Sequence, residues 1–387
     1  MNGRVEDYWH TVMSKIDGSG LRRELRDFSL GSSQVLFDSD NPMMNLASNN
    51  YLGLANDPRV CERAIAGIKE FGLGAGSARF LAGNFREHVE LEHVLSQLHG
   101  TEAALVFSSG YTANLATLSA ILGPRDTAFC DALSHASLVE GCRVVHSTVR
   151  LFRHNDMDHL ETLLREHRDR GKKVIVTDGV FSMDGEFAPL RDLVFLAEKY
   201  GAVLVVDDAH ANGTVGPHGS GTAAHFGLVD KVPVQIGTLS KAFGSQGGYL
   251  VGSKNLIDTV MHRGKAFLHS TALAPALASG ALEAIQISIR EPERRKALIA
   301  NVSFLRSELA ELGLKVLGDE GAPLLSVQYG STDASQKAAK SLEAADIFAP
   351  AIRPPTVPKG TCRVRLAPMA LHTTGDMQRV VSALSAL

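Results

Sequence analysis

The stretch of sequence that decides the fold reads Ile236-Gly237-Thr238-Leu239-Ser240-Lys241-Ala242-Phe243-Gly244. It places a lysine between a short apolar run and a glycine turn, and its small residues leave room for a large group beside the backbone. Two upstream apolar runs, residues 174–176 and residues 203–206, also lead into polar residues. We therefore predict three buried strands whose carboxyl ends carry reactive side chains.

These strand ends predict a single site. In open α/β sheets, ligands bind outside the carboxyl ends of the strands, so side chains that follow neighbouring strands meet there. The side chains expected at this edge are Ser182, Asp207, His210 and Lys241. A lysine amine that forms a Schiff base, together with an aspartate that holds a pyridinium nitrogen, is what pyridoxal phosphate chemistry requires.

The composition is that of an ordinary globular chain. Its 387 residues are enough for a large core and a subsidiary domain, with 44% hydrophobic and 21% charged residues. The formal net charge is −3 and the basic residues are scattered, which argues against binding to nucleic acid or to an anionic membrane. The first residues lack an apolar signal segment, and no apolar run approaches the ~18 residues of a membrane span. We therefore expect a cytoplasmic protein.

Other chemistry is poorly supported by the sequence. The cysteines Cys61, Cys130, Cys142 and Cys362 are widely spaced, which predicts neither a zinc site nor a disulfide framework. The histidines lack the spacing of metal ligands, so we predict no metal site. The segment Gly72-Leu73-Gly74-Ala75-Gly76-Ser77 follows no clear strand and misplaces the third glycine of a dinucleotide fingerprint, which favours a loop.

The order of apolar patterns predicts an α/β fold with a large, mainly parallel sheet. Residues 1–45 are a helical, partly irregular lead-in, with a first helix that ends at Gly18-Ser19-Gly20. Residues 46–285 alternate β-branched runs with helical segments, which is typical of βαβ units. Residues 286–387 predict a smaller α+β domain with helices near residues 298–312 and 335–345 and after Gly375, and strands near residues 323–328 and 363–366.

A candidate phosphate site follows the apolar residues 103–106. The segment Phe107-Ser108-Ser109-Gly110-Tyr111 leads from this predicted strand through a glycine into a helix. The first turn of a helix offers unpaired backbone N–H groups and a favourable dipole to an anion. Such a turn is equally common as a helix start without a ligand, so the residues alone leave both interpretations open.

The order of these motifs, rather than any one of them, carries a resemblance. Taken singly, each of these residues has an ordinary structural interpretation. Because these motifs occur together and in this order, the chain resembles the α-oxoamine synthase family of fold-type I pyridoxal phosphate (PLP) enzymes over nearly its whole length. The matching segments are residues 48–54, 131–137, 177–185, 206–210 and 237–241. Residues 351–358, and the segment Leu21-Arg22-Arg23, are most similar to members of the biotin pathway.

The resemblance implies a role for each matching residue. Lys241 would hold the cofactor and then act as acid and base at the substrate Cα, while Asp207 would keep the pyridine nitrogen protonated. His135 would stack on the ring, and Ser182 and His210 would bond its phenolic oxygen. The phosphate would be held by Gly110, Tyr111 and Thr238 and, from the neighbouring subunit of a homodimer, by Ser270 and Thr271.

The implied reaction is a decarboxylative condensation of a small amino acid with an acyl-CoA or acyl-carrier thioester. Asn49, Arg365 and Arg22 would bind the substrates, and Arg365 would grip the amino-acid carboxylate in the bidentate manner of a guanidinium. The similarity of residues 351–358 to the biotin-pathway members implies L-alanine and a pimeloyl thioester as the substrates.

Two alternatives remain beside this hypothesis. Residues 77–80, Ser-Ala-Arg-Phe, are similar to relatives that join glycine and acetyl-CoA, so the acyl group stays open. A succinyl substrate is disfavoured, because the polar residues of the relatives that use it are absent at Ala78 and Phe80. A binding protein of the same fold without turnover is disfavoured too, because it need not retain Lys241, Asp207, His135 and Arg365 together.

Overall fold

The computed structural model describes residues 2–18, 22, 25, 27–28, 31, 34–35, 42–167 and 171–385. Its strands are β1 (Gln34–Val35), β2 (Met43–Asn45), β3 (Ala103–Phe107), β4 (Thr127–Asp131), β5 (Thr148–Phe152), β6 (Lys173–Asp178), β7 (Ala202–Asp207), β8 (Val234–Thr238), β9 (Gly248–Gly252), β10 (Val316–Leu317), β11 (Leu325–Gly330), β12 (Ile347–Phe348), β13 (Ala351–Ile352) and β14 (Cys362–Leu366). Its α-helices are α1 (Asn2–Gly18), α2 (Pro58–Phe71), α3 (Arg86–His99), α4 (Gly110–Ile121), α5 (Ala136–Arg143), α6 (Met157–Glu166), α7 (Leu190–Tyr200), α8 (Thr222–His225), α9 (Lys254–Arg263), α10 (Lys265–Leu268), α11 (Pro275–Arg290), α12 (Pro292–Glu311), α13 (Thr332–Glu343) and α14 (Thr374–Ser385).

A seven-stranded sheet forms the centre of the molecule. Its strands lie in the order β3-β9-β8-β7-β6-β4-β5. The pairs β4–β5, β4–β6, β6–β7 and β7–β8 are parallel, whereas β9 runs antiparallel to both β3 and β8. The prediction of an α/β fold with a mainly parallel sheet is therefore confirmed, as are the three buried strands that end at residues 178, 207 and 238.

Both faces of this sheet are buried, which explains the continuous apolar runs in its strands. Along β6, Val174 and Val176 belong to one core cluster and Ile175 to another. The first cluster includes residues of α4, α5 and α9, and the second includes residues of α6 and α7. The helices thus cover the sheet on two sides and leave the strand ends as the place where polar side chains collect.

A second, four-stranded sheet lies in the C-terminal region, in the antiparallel order β10-β11-β14-β13. It docks on the loop that follows β6. Ser326 of β11 donates a hydrogen bond from Oγ to the carbonyl of Met183 at 2.6 Å, and Arg363 of β14 pairs with Asp184. These two contacts place β14, and with it Arg365, at the carboxyl edge of the central sheet.

The helices and strands predicted for the C-terminal region are present, but their bounds differ: the helix predicted near residues 298–312 is Pro292–Glu311, and the strand predicted near residues 323–328 is Leu325–Gly330. The helix predicted near residues 335–345 begins at Thr332, because the Ser331 side chain accepts a hydrogen bond from the Ala334 amide and caps it. The pairing of β2 with β12, parallel with Met44 beside Ile347, was not predicted, because neither short strand has a local pattern. Ser19, Gly20, Leu21 and Arg23 lie outside the described residues. Within the described part of the chain, no helix is long and apolar enough to span a membrane.

The turn after Lys241 gives a test of how the fold fixes this residue. The Gly244 amide donates to the Lys241 carbonyl at 2.9 Å, and Gly244 has a φ of +64°. A Cβ at this position would clash with the backbone of Ala55. We expect Gly244→Ala to lower the free energy of unfolding by about 1–3 kcal/mol more than Gly100→Ala in chemical denaturation.

Gly100 is the matched control, because it has the same φ of +64° but nothing within 4 Å of its added Cβ. The left-handed backbone strain is therefore common to both variants, and the difference between them reports the packing against Ala55. Equal losses of stability in the two variants would show that this close contact does not constrain the turn.

Candidate functional site

The strand ends bring the predicted reactive residues together. Asp178 and Asp207 end the adjacent strands β6 and β7 and stand opposite each other in register. Lys241 follows β8, and its amine lies 2.9 Å from Nε2 of His210 in the loop after β7. Ser182, in the loop after β6, accepts a hydrogen bond at its carbonyl from Nε of Arg365 at 2.6 Å.

The Lys241 amine is buried among charges of both signs. Burial lowers its pKa to about 8, while the Asp207 carboxylate opposes this shift and the Arg365 guanidinium adds to it. Burial also lowers the pKa of His210 well below its usual range, and the charges of Lys241 and Arg365 act in the same direction. His210 is therefore a neutral imidazole beside an amine that changes charge close to neutral pH.

Asp207 is held in place from two sides. Its Oδ2 accepts a hydrogen bond from the Asn114 side chain at 2.7 Å, and its Oδ1 accepts one from the Ala209 amide at 2.9 Å. Asn114 lies on α4, and its amide also donates to Oγ of Ser137 at 2.8 Å. The carboxylate is thus both buried and fixed in direction, as a group that must hold a protonated ring nitrogen requires.

His135 precedes α5 and acts as its N-cap. Its backbone amide donates to the Asp178 carboxylate at 2.9 Å, and its Nδ1 lies 2.6 Å from Oγ of Ser137. Its ring meets the ring of Tyr111 edge to face, with 6.4 Å between centroids. Burial lowers the pKa of His135, and the charge of Lys241 contributes to this shift, which favours a neutral ring for stacking.

The predicted phosphate site is the first turn of α4. Ser109 caps this helix by accepting a hydrogen bond from the Thr112 amide at 3.1 Å, and Gly110 and Tyr111 are its first residues. A Cβ on Gly110 would lie 3.4 Å from Oγ1 of Thr238, the residue that ends β8. Two helix N-terminal amides and a hydroxyl are therefore adjacent, and this donor set suits an anion.

Arg365, Asn49 and Tyr51 lie next to the His210 side chain. Nη2 of Arg365 donates to Oδ1 of Asn49 at 2.8 Å and to the Tyr51 hydroxyl at 3.2 Å. The same hydroxyl lies 2.7 Å from Nδ1 of His210. A continuous series of polar contacts thus joins the predicted carboxylate-binding residues to Lys241.

Three predicted site residues lie elsewhere in the chain. Ser270 and Thr271 line a small cavity with Arg79, Phe267 and other residues of that region. Arg22 is exposed, pairs with Asp17 at 3.2 Å, and lines a groove of about 840 Å³. Among the contacts of the described residues, none joins Ser270, Thr271 or Arg22 to Lys241.

Sequence reasoning gave no role to Tyr51, Asn114 or Asp178. Tyr51 and Asp178 fall inside the matching motifs, and Asn114 is a buried amide in the first turns of α4, next to the candidate phosphate turn, which is the signal that could have identified it. Each of them forms a hydrogen bond with another residue of the site, and such contacts depend on how distant segments of the chain pack together. Their partners are His210, Asp207 and the His135 amide.

His154 joins the loop after β4 to the loop after β6. Its Nδ1 lies 2.9 Å from Oδ1 of Asp131, and its Nε2 lies 3.0 Å from Oε2 of Glu186. Although burial acts against a charged ring, the hydrogen bonds that the ring donates to these two carboxylates raise the pKa of His154 to about 9. His154 therefore forms a charged clamp between the loops that carry His135 and Ser182.

These residues fit pyridoxal phosphate. The α4 N-terminus with Thr238 can hold a phosphate, the fixed carboxylate of Asp207 can bind a protonated ring nitrogen, and Lys241 offers an amine with a lowered pKa. These groups lie at or just after the ends of neighbouring strands and at the start of one helix, so rigid elements of the fold set the distances between them.

Comparisons with known proteins agree with this fit. Residues 41–384 match the family described as aminotransferase class I and II. The chain is 43% identical over 381 residues to 8-amino-7-oxononanoate synthase of Lysinibacillus sphaericus, covering 98% of this chain and 97% of that protein. It is 42% identical over 342 residues to 8-amino-7-oxononanoate synthase 1 of Bacillus subtilis, covering 88% and 87%.

A solved structure gives the same result. Serine palmitoyltransferase from S. paucimobilis, in a structure with a bound PLP-myriocin aldimine, superposes with a TM-score of 0.91 at 28% sequence identity. The superposition covers 98% of this chain and 96% of that one. The expected fold-type I architecture is therefore confirmed along nearly the whole chain.

The His154 clamp predicts a pH-dependent stability. Because the pKa of His154 is raised to about 9 in the folded protein, its stabilisation is complete below the unfolded value of about 6.5 and is lost as the pH rises through 9. We expect His154→Gln to reduce the free energy of unfolding by about 1–2 kcal/mol at pH 6, after allowance for solvent screening, and by much less at pH 10.

Urea denaturation at the two pH values measures this difference. Arg153→Gln is the control, because it removes a neighbouring exposed cation that pairs with Asp156 at 2.7 Å and stays charged throughout this range. Its effect should be the same at both pH values. A His154 variant that loses equal stability at pH 6 and pH 10 would rule out a charged clamp.

Proposed function

Because the chain belongs to the aminotransferase class I and II family and, within it, to the α-oxoamine synthases, we propose that it forms 8-amino-7-oxononanoate from L-alanine and a pimeloyl thioester, a cytoplasmic step of biotin biosynthesis. The observation that carries the proposal is the similarity to curated 8-amino-7-oxononanoate synthases over nearly the full length. The buried Lys241 amine beside Asp207 and His210 supports the same chemistry.

The enzyme uses pyridoxal phosphate, which supplies an electron sink for the negative charge that develops at the amino-acid Cα. Lys241 holds the cofactor and, once released, takes the Cα proton as a neutral amine. A pKa of about 8 suits this task, because far more of the amine is neutral near physiological pH than in an ordinary lysine, and the ammonium can return the proton. Asp207 keeps the ring nitrogen protonated.

The amino-acid substrate is bound by its carboxylate. Arg365 and Asn49 are in contact at 2.8 Å, so a carboxylate placed against them meets a guanidinium and an amide together. In the reaction the Cα–carboxyl bond breaks and releases CO₂, a new bond joins Cα to the acyl carbon, and the thioester C–S bond breaks. The sulfur leaves as the free thiol with the proton that Cα lost, and after CO₂ has left, Cα takes up one proton from solvent, so the overall reaction consumes one proton.

The groove that contains Arg22 suits the acyl chain. It has a volume of about 840 Å³, apolar side chains from Leu25, Phe28 and Ile347, and a second cation at Arg353. A pimeloyl group has methylenes, which can pack against the apolar side chains, and a terminal carboxylate, which can pair with the arginines. The groove is linked to the site through Phe348, whose carbonyl accepts a hydrogen bond from the Leu46 amide at 2.9 Å, just before Asn49.

We infer that the enzyme is a homodimer that completes each active site with residues from both subunits. Ser270 and Thr271 line a cavity together with Phe107 and Ser108, which precede the helix start at Gly110, and we expect them to serve the phosphate site of the partner subunit. Leu73 and Leu81, which flank the loop beside this cavity, are 79% and 82% exposed in the single chain. Burial of such side chains favours association.

One observation supports glycine and acetyl-CoA as the second candidate pair of substrates. Residues 77–80 are similar to relatives with that activity, and the loop is firmly held. Arg79 forms hydrogen bonds with Glu92 at 2.9 Å and with Asn84 at 2.7 Å, and the Phe80 ring meets that of Phe267 at 6.0 Å. A rigid loop with a bulky aromatic residue would suit a short acyl group.

A substrate panel tests the proposal. Purified enzyme is mixed with L-alanine or glycine and with pimeloyl-CoA, a pimeloyl carrier-protein thioester or acetyl-CoA, and the release of free thiol is measured. We expect the highest kcat/KM for L-alanine with a pimeloyl thioester. We also expect Lys241→Ala to reduce turnover by at least about 10²–10⁴-fold, because it removes the acid–base group.

The outcomes separate the candidates. A preference for glycine and acetyl-CoA would replace the first assignment by the second and keep the chemistry. Full turnover by Lys241→Ala would refute the mechanism. Thermal unfolding of the variant beside the native enzyme provides the control that the loss of turnover does not come from loss of the fold.

A further inference from the structure

Tyr51 is a buried polar residue that the reaction described above does not use. It lies in the turn after β2, and its side chain has no exposed surface. Its hydroxyl lies 2.7 Å from Nδ1 of His210, 3.2 Å from Nη2 of Arg365 and 3.3 Å from Oδ1 of Asn49. On the far side of the imidazole, Nε2 lies 2.9 Å from the Lys241 amine.

The two ring nitrogens of His210 cannot gain or lose their proton independently. Burial lowers the pKa of His210 well below its usual range, so the ring is neutral and carries one N–H and one lone pair. If the N–H is at Nε2 and faces Lys241, the lone pair is at Nδ1 and faces Tyr51. In the other tautomer the two positions are exchanged. The charge of the amine is thereby linked to the direction of the hydrogen bond at the phenol.

We propose that Tyr51 is a positioning residue that lets the tautomer of His210 follow the charge of Lys241. An ammonium group on Lys241 can only donate, so Nε2 accepts and Nδ1–H donates to the Tyr51 oxygen. The phenol then gives its own proton to Oδ1 of Asn49. A neutral amine can also accept, which makes the other tautomer available: Nε2–H then points at Lys241, and Tyr51 donates to Nδ1 at 2.7 Å.

A phenol is suited to this task because it both donates and accepts. Burial raises the pKa of Tyr51 to about 12, so the hydroxyl keeps its proton throughout the working range. The inference rests on the proposed function, in which Lys241 alternates between amine and ammonium as it moves the Cα proton. Where Nε2 of His210 meets the free Lys241 amine, as it does at 2.9 Å, it would offer a matching hydrogen bond to either state of the amine.

Removal of the hydroxyl should affect the two states of Lys241 unequally. In Tyr51→Phe, the ammonium state leaves a buried N–H on His210 without an acceptor, which cuts the hydrogen-bond chain that supports the positive charge. When Lys241 is a neutral amine, the variant loses only the hydrogen bond that Tyr51 donates to the lone pair on Nδ1 of His210. We therefore expect the pKa of Lys241 to fall from about 8 by about one unit, a tenfold change in proton affinity.

Other charges near the amine stay constant in this comparison. The charged and titratable groups that act on Lys241 and His210 are Asp207, Asp178, Arg365 and His135. The change from tyrosine to phenylalanine removes none of them and keeps the ring that fills the site. A shift in the pKa of Lys241 therefore reports the hydroxyl.

The test uses the full-length protein after removal of its cofactor. The rate at which added pyridoxal phosphate becomes attached depends on the neutral fraction of the Lys241 amine, so its pH profile reports the pKa. For Tyr51→Phe we expect the profile to move about one unit towards lower pH. Titration of the free cofactor itself is common to all variants and cancels in the comparison.

Tyr249→Phe is the matched control. Tyr249 is also fully buried, and its hydroxyl lies 3.0 Å from Nε2 of a histidine, His99. This variant loses the same kind of hydrogen bond, but one made to His99 rather than to His210, so its profile should coincide with that of the native protein. A shift of the same size in the control would overturn the inference, because general loosening of the core would then explain both results.

The outcomes distinguish this inference from the proposed function. A Tyr51→Phe profile that coincides with the native one would overturn the role of Tyr51, whatever reaction the enzyme catalyses. A shifted profile in a protein that condenses no acyl thioester would refute the proposed function and support the role of Tyr51.

If Tyr51→Phe does not fold, nitrogen NMR of histidine in the native apoprotein decides the matter. The His210 signals are assigned by their loss in His210→Asn. The inference expects protonation to move from Nδ1 to Nε2 as the pH rises through about 8, the pKa of Lys241. A single tautomer of His210 across this range would overturn it.

Discussion

The Lys241 side chain is partly buried at the carboxyl edge of the sheet, and the surrounding residues compensate for its loss of water. An isolated charge in such a place is strongly disfavoured, so a lysine there either loses its proton or needs partners. The Asp207 carboxylate raises the pKa of the amine and the Arg365 guanidinium lowers it, next to a second carboxyl group, Asp178, whose own pKa is raised by burial; the balance leaves the amine a pKa of about 8. This value lets one side chain act as a nucleophile, a base and an acid without a large energetic cost in any of the three states.

This balance depends on where the strands end. The two carboxylates come from the ends of adjacent parallel strands, and Lys241 follows the next strand, so the backbone of the sheet fixes their separation. The guanidinium of Arg365 comes from the second sheet, which docks on the loop after β6 through Ser326 and Met183. A displacement of that sheet would change both the proposed binding of the amino-acid carboxylate by Arg365 and the charge around the amine.

The sequence predicted the parts of the site that local patterns encode. Apolar runs followed by Asp207 and Lys241 indicated the central strands and their polar edge, and the helix start at Gly110 indicated the phosphate site. The contacts of Tyr51 and Asn114 could not be predicted in this way, because their partners, His210 and Asp207, belong to distant segments. The same holds for the short strands β2 and β12, which pair across most of the chain.

The most direct test of the central claim is to identify the lysine that holds the cofactor. Borohydride converts the bond between cofactor and lysine into a stable amine, and mass spectrometry of the digested protein then locates it. We predict modification of Lys241 alone, because its buried amine has a pKa of about 8 and is neutral more often than ordinary exposed lysines. Modification at another lysine, or none at all, would contradict the account.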